Sequence, residues 1–317
     1  MELDLCTPAC IHVAAVLRIS DLMDQNKSDI RDLARAAGAD PESLCRVLRH
    51  LANNGIFEET SPGHFAKNDN ARSLFDGIFG RMTLAWGTML SAVRTGNPAY
   101  HEMAGRGFWE DLDANPGIAE SFDALMGPEG HGIPDARILL NENDWESVRT
   151  VVDVGGGTGA LLMEILRARP QVHATLVDLP ATIARARPEF EAAGLTHRVT
   201  FAAQSFFDTL PAGKDLYTMK NVLADWPDHE AELLLRRCAE AAASSGPEAA
   251  ARSGKLAIVG GVTAEPIPSP ELLMMVLVGG KSRTLDEFAT LARRAGLDAK
   301  AFGRAPCGKF VVECSVR

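Results

Sequence analysis

Val151-Val152-Asp153-Val154 runs directly into Gly155-Gly156-Gly157-Thr158-Gly159, and the helix-forming Ala160-Leu161-Leu162-Met163-Glu164-Ile165-Leu166 follows at once. Glycine lets the backbone turn sharply and approach a ligand closely, so this spacing makes a cradle for a small molecule at the end of a strand. The acid ahead of the first glycine suits a ligand carrying positive charge better than it suits a pyrophosphate. A second acid, Asp178, closes the next apolar run, Ala174-Thr175-Leu176-Val177, about 20 residues beyond the turn, where a carboxylate can grip two ribose hydroxyls. A glycine turn that only packed a helix on a strand would leave that second acid a coincidence.

The elements that must position these groups can be read outward from the glycines. The β-branched run predicts a strand covered on both faces. Strands and helices then alternate: Ala174 to Asp178, helix Ala181 to Ala193, Val199 to Ala202, Leu216 to Met219, helix Glu230 to Ala243, Leu256 to Val259. After the proline-rich Pro266-Ile267-Pro268-Ser269-Pro270 come an amphipathic stretch, Glu271 to Val278, a helix, Leu285 to Ala295, and closing strands near Ala299 to Phe302 and Phe310 to Cys314. Alternation predicts an α/β fold, a doubly wound sheet with right-handed crossovers, which holds its ligands outside the carboxyl ends of its strands. Gly155 to Gly159, Asp178, Ser205-Phe206-Phe207 and Lys220-Asn221 each follow a strand and should converge there.

The chain ahead of this domain is mostly helical. Ile11 to Leu22, Asp29 to Ala37 and Pro41 to Asn54 carry apolar residues at helical spacing, and Ser61-Pro62-Gly63 turns between Gly55 to Glu59 and His64 to Ala66. That is a winged-helix outline over residues 1–78, which serves either DNA reading, with Arg46, Arg49 and His50 on the third helix, or dimerisation. Residues 79–148 read as a helical linker and pocket wall, with Met82, Leu84, Trp86, Met89, Leu90 and Val93 in one apolar series and Phe108, Trp109, Leu112, Ile118, Phe122, Leu125 and Met126 in another. The alternating domain occupies 149–317.

Among 317 residues, 42 acids against 32 bases leave a net charge of −10, which opposes the attraction nucleic-acid binders use and favours dimerisation over DNA reading. No apolar run reaches the ~18 residues a membrane span needs, and the acidic Met1-Glu2-Leu3-Asp4 lacks a secretory start, so a cytoplasmic location is expected without membrane or nucleic-acid partners. Six cysteines show no C-x-x-C pair and are expected to be reduced core thiols, with no metal site. Residues 240–254 read as a helix end and an exposed loop.

The form Asp153-x-Gly155-x-Gly157-x-Gly159 resembles that of methyltransferases using S-adenosylmethionine (SAM). Leu48-Arg49-His50-Leu51, Val93-Arg94-Thr95-Gly96, Phe108 to Leu112, Ser121 to Met126, Ser205 to Asp208, Asp225-Trp226-Pro227-Asp228 and Gly279 to Thr284 extend the likeness over nearly the whole chain. Together they resemble small-molecule O-methyltransferases that join a winged-helix dimerisation domain to a Rossmann-type SAM-binding domain, nearest the bacterial aromatic-polyketide branch. The resemblance implies a homodimer acting on an aromatic or polyketide-like molecule. It implies that Asp178 holds the ribose, Ser205 and Phe206 the adenine, and Gly155 and Gly157 the methionine end, with Asp153 supporting the turn and Leu179 and Lys220 adjoining. Trp109, Met126, Asn221 and Trp226 would face the substrate.

Two positions depart from that pattern. Many members carry a general-base histidine just before the Asp-Trp pair, where this chain has Ala224, and a glutamate at the end of the following strand, where it has Gly260. His101 and Asp225 are the substitute bases the sequence offers, with His229 at a helix start and His131 in a glycine-flanked loop; Tyr100 and Asn221 could bind substrate or be structural. General-base catalysis contributes about 10²- to 10⁴-fold, while alignment of the reactants supplies ~7 to 11 kcal/mol, so methyl transfer survives the loss. The alternative is a SAM-retaining enzyme of the same fold that moves no methyl group, such as a decarboxylase, hydroxylase or cyclase.

Overall fold

The computed structural model describes residues 4–127, 139, 145–243, 254–263, 271–304 and 309–317. His131, Cys307, Pro266 to Pro270 and most of the 240–254 loop lie outside them. The chain divides into two compact units, Met1–Phe122 and Asp123–Arg317.

In the first unit the helices Cys6–Val16, Ile19–Asp24, Ile30–Ala37 and Pro41–Asn53 precede a hairpin of β1 (Glu58–Ser61) and β2 (His64–Ala66). Short polar side chains start the helices: Asp29 accepts from the amides of Arg31 and Asp32, and Asp40 accepts from Ser43. Helix Pro41–Asn53 turns Leu44, Leu48 and Leu51 into a core shared with Ile19, Leu33, Phe57 and Phe65. The continuous helix expected over Ile11 to Leu22 breaks instead at Arg18, which takes φ 53° between two helices. Apolar periodicity runs through the break because both helices face one core.

The side chains a DNA reader would extend are tied within the chain. Arg49 makes a two-pronged pair with Glu59 at 2.6 and 2.8 Å, which holds that carboxyl down at about 2, Arg46 pairs with Glu42 at 2.5 Å, and His50 bonds Thr7 at 2.8 Å. Farther along, helices Gly77–Ala85, Met89–Thr95, Tyr100–Ala104 and Phe108–Ala114 meet the expected helical segment. Within the first apolar series Leu84 packs against the core of this unit, while Trp86, Leu90 and Val93 remain 41, 61 and 65% exposed in the single chain.

The second unit is a sheet ordered β5-β4-β3-β6-β7-β10-β9, with β3 Thr150–Val154, β4 His173–Asp178, β5 Val199–Ala203, β6 Leu216–Lys220, β7 Lys255–Thr263, β9 Leu297–Arg304 and β10 Lys309–Val316; β8, Arg283–Thr284, adds to β7. Alternate residues feed two cores: Val152, Val154, Tyr217, Leu256 and Ile258 face one side, Val151, Leu176, Leu216, Ala257 and Val259 the other. Helices therefore cover both faces, as the unbroken apolar runs require. The strand order reverses beside β3, so the crevice at a topological switch point opens at the carboxyl ends of β3 and β6. β10 lies antiparallel between β7 and β9, a direction that periodicity does not encode.

Of the cysteines, Cys238 and Cys314 are buried, while Cys6 is exposed and Cys10 and Cys45 are half-buried; all five are free thiols. Among the described residues no helix is long and apolar enough to cross a membrane.

Candidate active site

At the end of β3 the chain makes the glycine loop. Gly155 and Gly157 take φ 67° and 60°, and Gly159, at φ 88°, precedes the helix Ala160–Ala168. The Gly155 amide bonds Val177 O at 2.9 Å, which fastens the loop to β4. A Cβ on Gly159 would collide with the Phe190 ring, and one on Gly156 would lie 2.6 Å from Asp153 Oδ2. Gly157 is different: nothing stands within 4 Å of its missing Cβ, so the loop is bare there.

Two carboxylates lie beneath and beside this loop. Asp178 accepts from the Gly157 amide through Oδ2 at 2.8 Å and from the Leu179 amide through Oδ1 at 2.8 Å. The Thr182 side chain bonds this carboxyl as well, and an ionised carboxylate has about four acceptor sites, so capacity remains for a ligand hydroxyl. Burial raises the pKa of Asp178 and outweighs these bonds. Asp153 is 1% exposed; it stands level with Thr218 of β6, whose hydroxyl donates to Oδ1 at 2.9 Å. Its bond thus crosses the sheet rather than reaching a loop amide. Asp153 Oδ2 is buried with no hydrogen-bond partner, and burial pushes the carboxyl up to about 6, against the pull of Thr218 and Lys220. An orphaned, desolvated acceptor beside an open glycine cradle fits a cationic ligand, whose charge would recover what desolvation costs.

Across the crevice, β6 ends at Lys220 and the turn Leu223–Asp225 follows. Asn221 takes φ 57°, and its amide bonds Val259 O at 2.8 Å. Val222 lines the loop: its Cγ2 would be 2.8 Å from a Cβ on Gly155, with Phe206 Cε1 at 3.3 Å. Phe206, Phe207 and Trp226 form an edge-packed cluster, with centroids 4.8 to 5.8 Å apart. Ser205 Oγ accepts from the Phe207 amide at 3.2 Å and so shapes the turn carrying these rings.

Three glycines pack closely opposite this turn. Asn221 Oδ1 occupies the space a side chain at Gly260 would need, a Cβ on Gly261 would lie 3.2 Å from Ala224 Cβ, and a Cβ on Gly280 would strike the Ala224 carbonyl. The alanine and the glycines are therefore one packing unit, and a glutamate at residue 260 would have to displace the Asn221 side chain and adopt a φ of 79°.

Residues 86–298 match the family model of the O-methyltransferase domain, and residues 3–76 match that of the O-methyltransferase dimerisation domain. The chain belongs to the O-methyltransferase family. The curated 2,7-dihydroxy-5-methyl-1-naphthoate 7-O-methyltransferase of Streptomyces carzinostaticus is 37% identical over 311 residues, 94% of this chain and 91% of that protein. Aclacinomycin 10-hydroxylase RdmB of Streptomyces purpurascens is 36% identical over 93% of this chain and 82% of its own length. The crystal structure of NcsB1, an O-methyltransferase from neocarzinostatin biosynthesis in complex with SAM and 2-hydroxy-5-methyl naphthoic acid, superposes with a TM-score of 0.73 at 34% identity, covering 99% of this chain and 97% of that one.

The structure of this methyltransferase brings Asp153, Gly155, Gly157, Asp178, Leu179, Ser205, Phe206, Lys220, Asn221, Ala224, Asp225 and Trp226 to the strand ends of one unit. Met126 is half-buried at the end of helix Pro116–Met126 in the same unit. Trp109 and His101 belong to the other: Trp109 packs edge-on against Phe108 and Phe122, and His101 is exposed on a short helix. His229 is 88% exposed in the first turn of helix Asp228–Ala242. Tyr100 is structural, because it is buried and donates to Asp111 at 2.7 Å, which Arg81 pairs at 2.9 Å. Thr218 and Val222 are site residues that the sequence reading missed. Neither had a signal in the sequence, because the register that sets Thr218 opposite Asp153 and the packing that sets Val222 against Gly155 arise only in the fold.

Proposed function

We propose that this enzyme transfers a methyl group from SAM to an oxygen of an aromatic or polyketide-like small molecule, as a cytoplasmic homodimer, mainly by proximity and orientation. The observation that carries the reading is the buried Asp153 Oδ2 beneath a bare glycine loop, with Asp178 alongside and, opposite, the turn Asn221 to Asp225, in which residue 224 is alanine. SAM, when bound, supplies a methyl carbon whose bond to sulfur breaks as the bond to the acceptor oxygen forms. Asp153, Gly155 and Gly157 would hold its methionine end, Asp178 and Leu179 the ribose side, and Ser205, Phe206 and Lys220 the base side. Trp226, Asn221, Trp109 and Met126 would bind the acceptor.

Ala224 cannot take a proton, so the acceptor oxygen must lose its own to water or to Asp225. An acidic phenol does this unaided, and alignment supplies ~7 to 11 kcal/mol of the barrier, more than the 10²- to 10⁴-fold typical of a base. Apolar side chains exposed on the first unit, Leu5, Val16, Leu90 and Val93, support burial against a second copy, in keeping with its dimerisation domain.

The hydroxylase relative favours a second reading, in which SAM stays intact while a decarboxylation, hydroxylation or cyclisation proceeds. Methyl-labelled SAM with 2-hydroxy-5-methyl naphthoic acid and a panel of acidic phenols separates the two. Label in an organic product supports methyl transfer; an acceptor that changes mass without label supports the second reading.

A further inference from the structure

Arg283 is 1% exposed, among the largest fully buried side chains of the chain, although arginine is seldom buried without partners. It stands in β8, beside the end of β7. Its guanidinium donates to the carbonyls of Leu223 at 3.1 Å, Trp226 at 2.9 Å and Lys281 at 3.3 Å, and through Nε to Asp228 Oδ1 at 2.9 Å. Asp228 also accepts from Lys281 at 3.1 Å; burial alone would raise this carboxyl, but the two cations hold it low.

Two of those carbonyls bracket Ala224 and Asp225. A planar five-donor fork can hold several carbonyls at fixed directions, whereas an ammonium is a single point donor. The same turn meets Gly261 and Gly280 on the β7 side. On the crevice side it presents Val222 to Gly155 and Trp226 to Phe206 and Phe207. Arg283 thus touches no residue of the glycine loop, yet fixes the segment that faces it.

We propose that Arg283 is a positioning residue: it clamps the turn Leu223–Trp226 from behind and so sets where Ala224, Asp225 and Trp226 hold the acceptor against the cofactor loop. The catalytic part of this proposal rests on the methyl-transfer reading. Because the clamp acts through backbone carbonyls, its loss displaces the acceptor side and spares cofactor affinity. A displacement of about 1 Å at an aligned site can cost on the order of 100-fold in rate.

The test uses the full chain with Arg283→Lys and Arg283→Met. Three quantities are measured: S-adenosylhomocysteine affinity by calorimetry, acrylamide quenching of Trp226 isolated by difference against Trp226→Phe, and label transfer to 2-hydroxy-5-methyl naphthoic acid per binding-competent site. The expected result is affinity within about threefold of wild type, Trp226 quenching raised about twofold, and transfer at saturating SAM lowered by about 30-fold or more, with KM for SAM little changed and lysine a partial rescue. A merely structural role would lower the number of competent sites and leave the per-site rate intact. Unchanged Trp226 quenching and per-site rate in Arg283→Lys would overturn the proposal; if Arg283→Met does not fold, Asp228→Ala, which removes one partner from the fork, replaces it. Should the wild type transfer no label to any phenol, the methyl-transfer reading falls, while the quenching result still decides whether Arg283 fixes the turn.

Discussion

The two sides of the crevice are built from different physics. On the β3–β4 side stand backbone amides and two carboxylates: half-buried Asp178 ties Gly157 to Leu179, and buried Asp153 keeps one oxygen unpaired within the sheet. On the β6–β7 side the turn from Asn221 to Trp226 is fixed by close packing against Gly260, Gly261 and Gly280 and by the Arg283 fork. One side presents carboxylates and backbone amides; the other presents close-packed shape. Chemistry that needs a proton acceptor on the shape side is left with Asp225 or water, so the proposed methyl transfer favours an acidic acceptor.

The steepest way to break this contrast is to put side chains on the glycine loop. Gly159→Val, at φ 88° and against the Phe190 ring, is expected to cost more than about 3 kcal/mol and to abolish SAM binding, whereas Gly157→Ala, with open space around it, should cost only the ~1 to 2 kcal/mol of its left-handed backbone. Thermal unfolding of the pair measures the difference, and equal losses would mean the loop is not shaped by Phe190.

Next in size, Asp178→Ala removes the acceptor of two amides and should weaken SAM binding by about 100-fold, as two charge-assisted bonds at ~1.5 to 3 kcal/mol allow. An affinity within a few-fold of wild type, read by calorimetry, would return Asp178 to a structural role.

Asp153 separates stability from affinity. Its carboxyl is raised by burial to about 6, so its favourable contribution to folding is fully present below the ordinary 3.8 and is lost as pH rises through about 6. Asp153→Asn should therefore be more stable than wild type at pH 8, by up to about 3 kcal/mol, with the gain vanishing near pH 4. The same substitution should weaken SAM, whose affinity for wild type should rise between pH 5 and 7 as the carboxyl ionises. Denaturant melts across pH check the first statement and titrations the second; a variant less stable at pH 8 would sink it.

On the packing side the effects are smaller and pairwise. Gly260→Ala should lose about 1 to 3 kcal/mol because its Cβ meets Asn221 Oδ1 and its φ is 79°, and Asn221→Gly in the same chain should recover the steric part. A double-mutant cycle without coupling would mean the two do not share that space. Ala224→His alone should not raise the methylation rate more than a few-fold, since no acid at residue 260 can orient it.

Much of this layout was legible in the chain. The strand closed by Asp153, the glycines, and Asp178 at the end of the next strand stand where strand–turn–helix reasoning puts them, and helix Pro41–Asn53 buries the leucines its period singled out. Other features were not. The αL break at Arg18 left the apolar period intact, so nothing local announced it. The exposure of Trp86, Leu90 and Val93, in a series read as part of a pocket wall, was not legible either, because periodicity reports a stripe without saying what covers it.

Local pattern by itself determined the elements and the ligand-facing charge, because glycine's freedom, strand burial and the position of an acid after a strand depend on near neighbours in the sequence. What only the tertiary structure decided was pairing at a distance: Thr218 against Asp153, Asn221 against Gly260, β10 reversed between β7 and β9, and Arg283 on carbonyls some 60 residues back along the chain. Those contacts are set by register and close packing among strands and loops remote in sequence, and the composition of either partner alone carries no record of them.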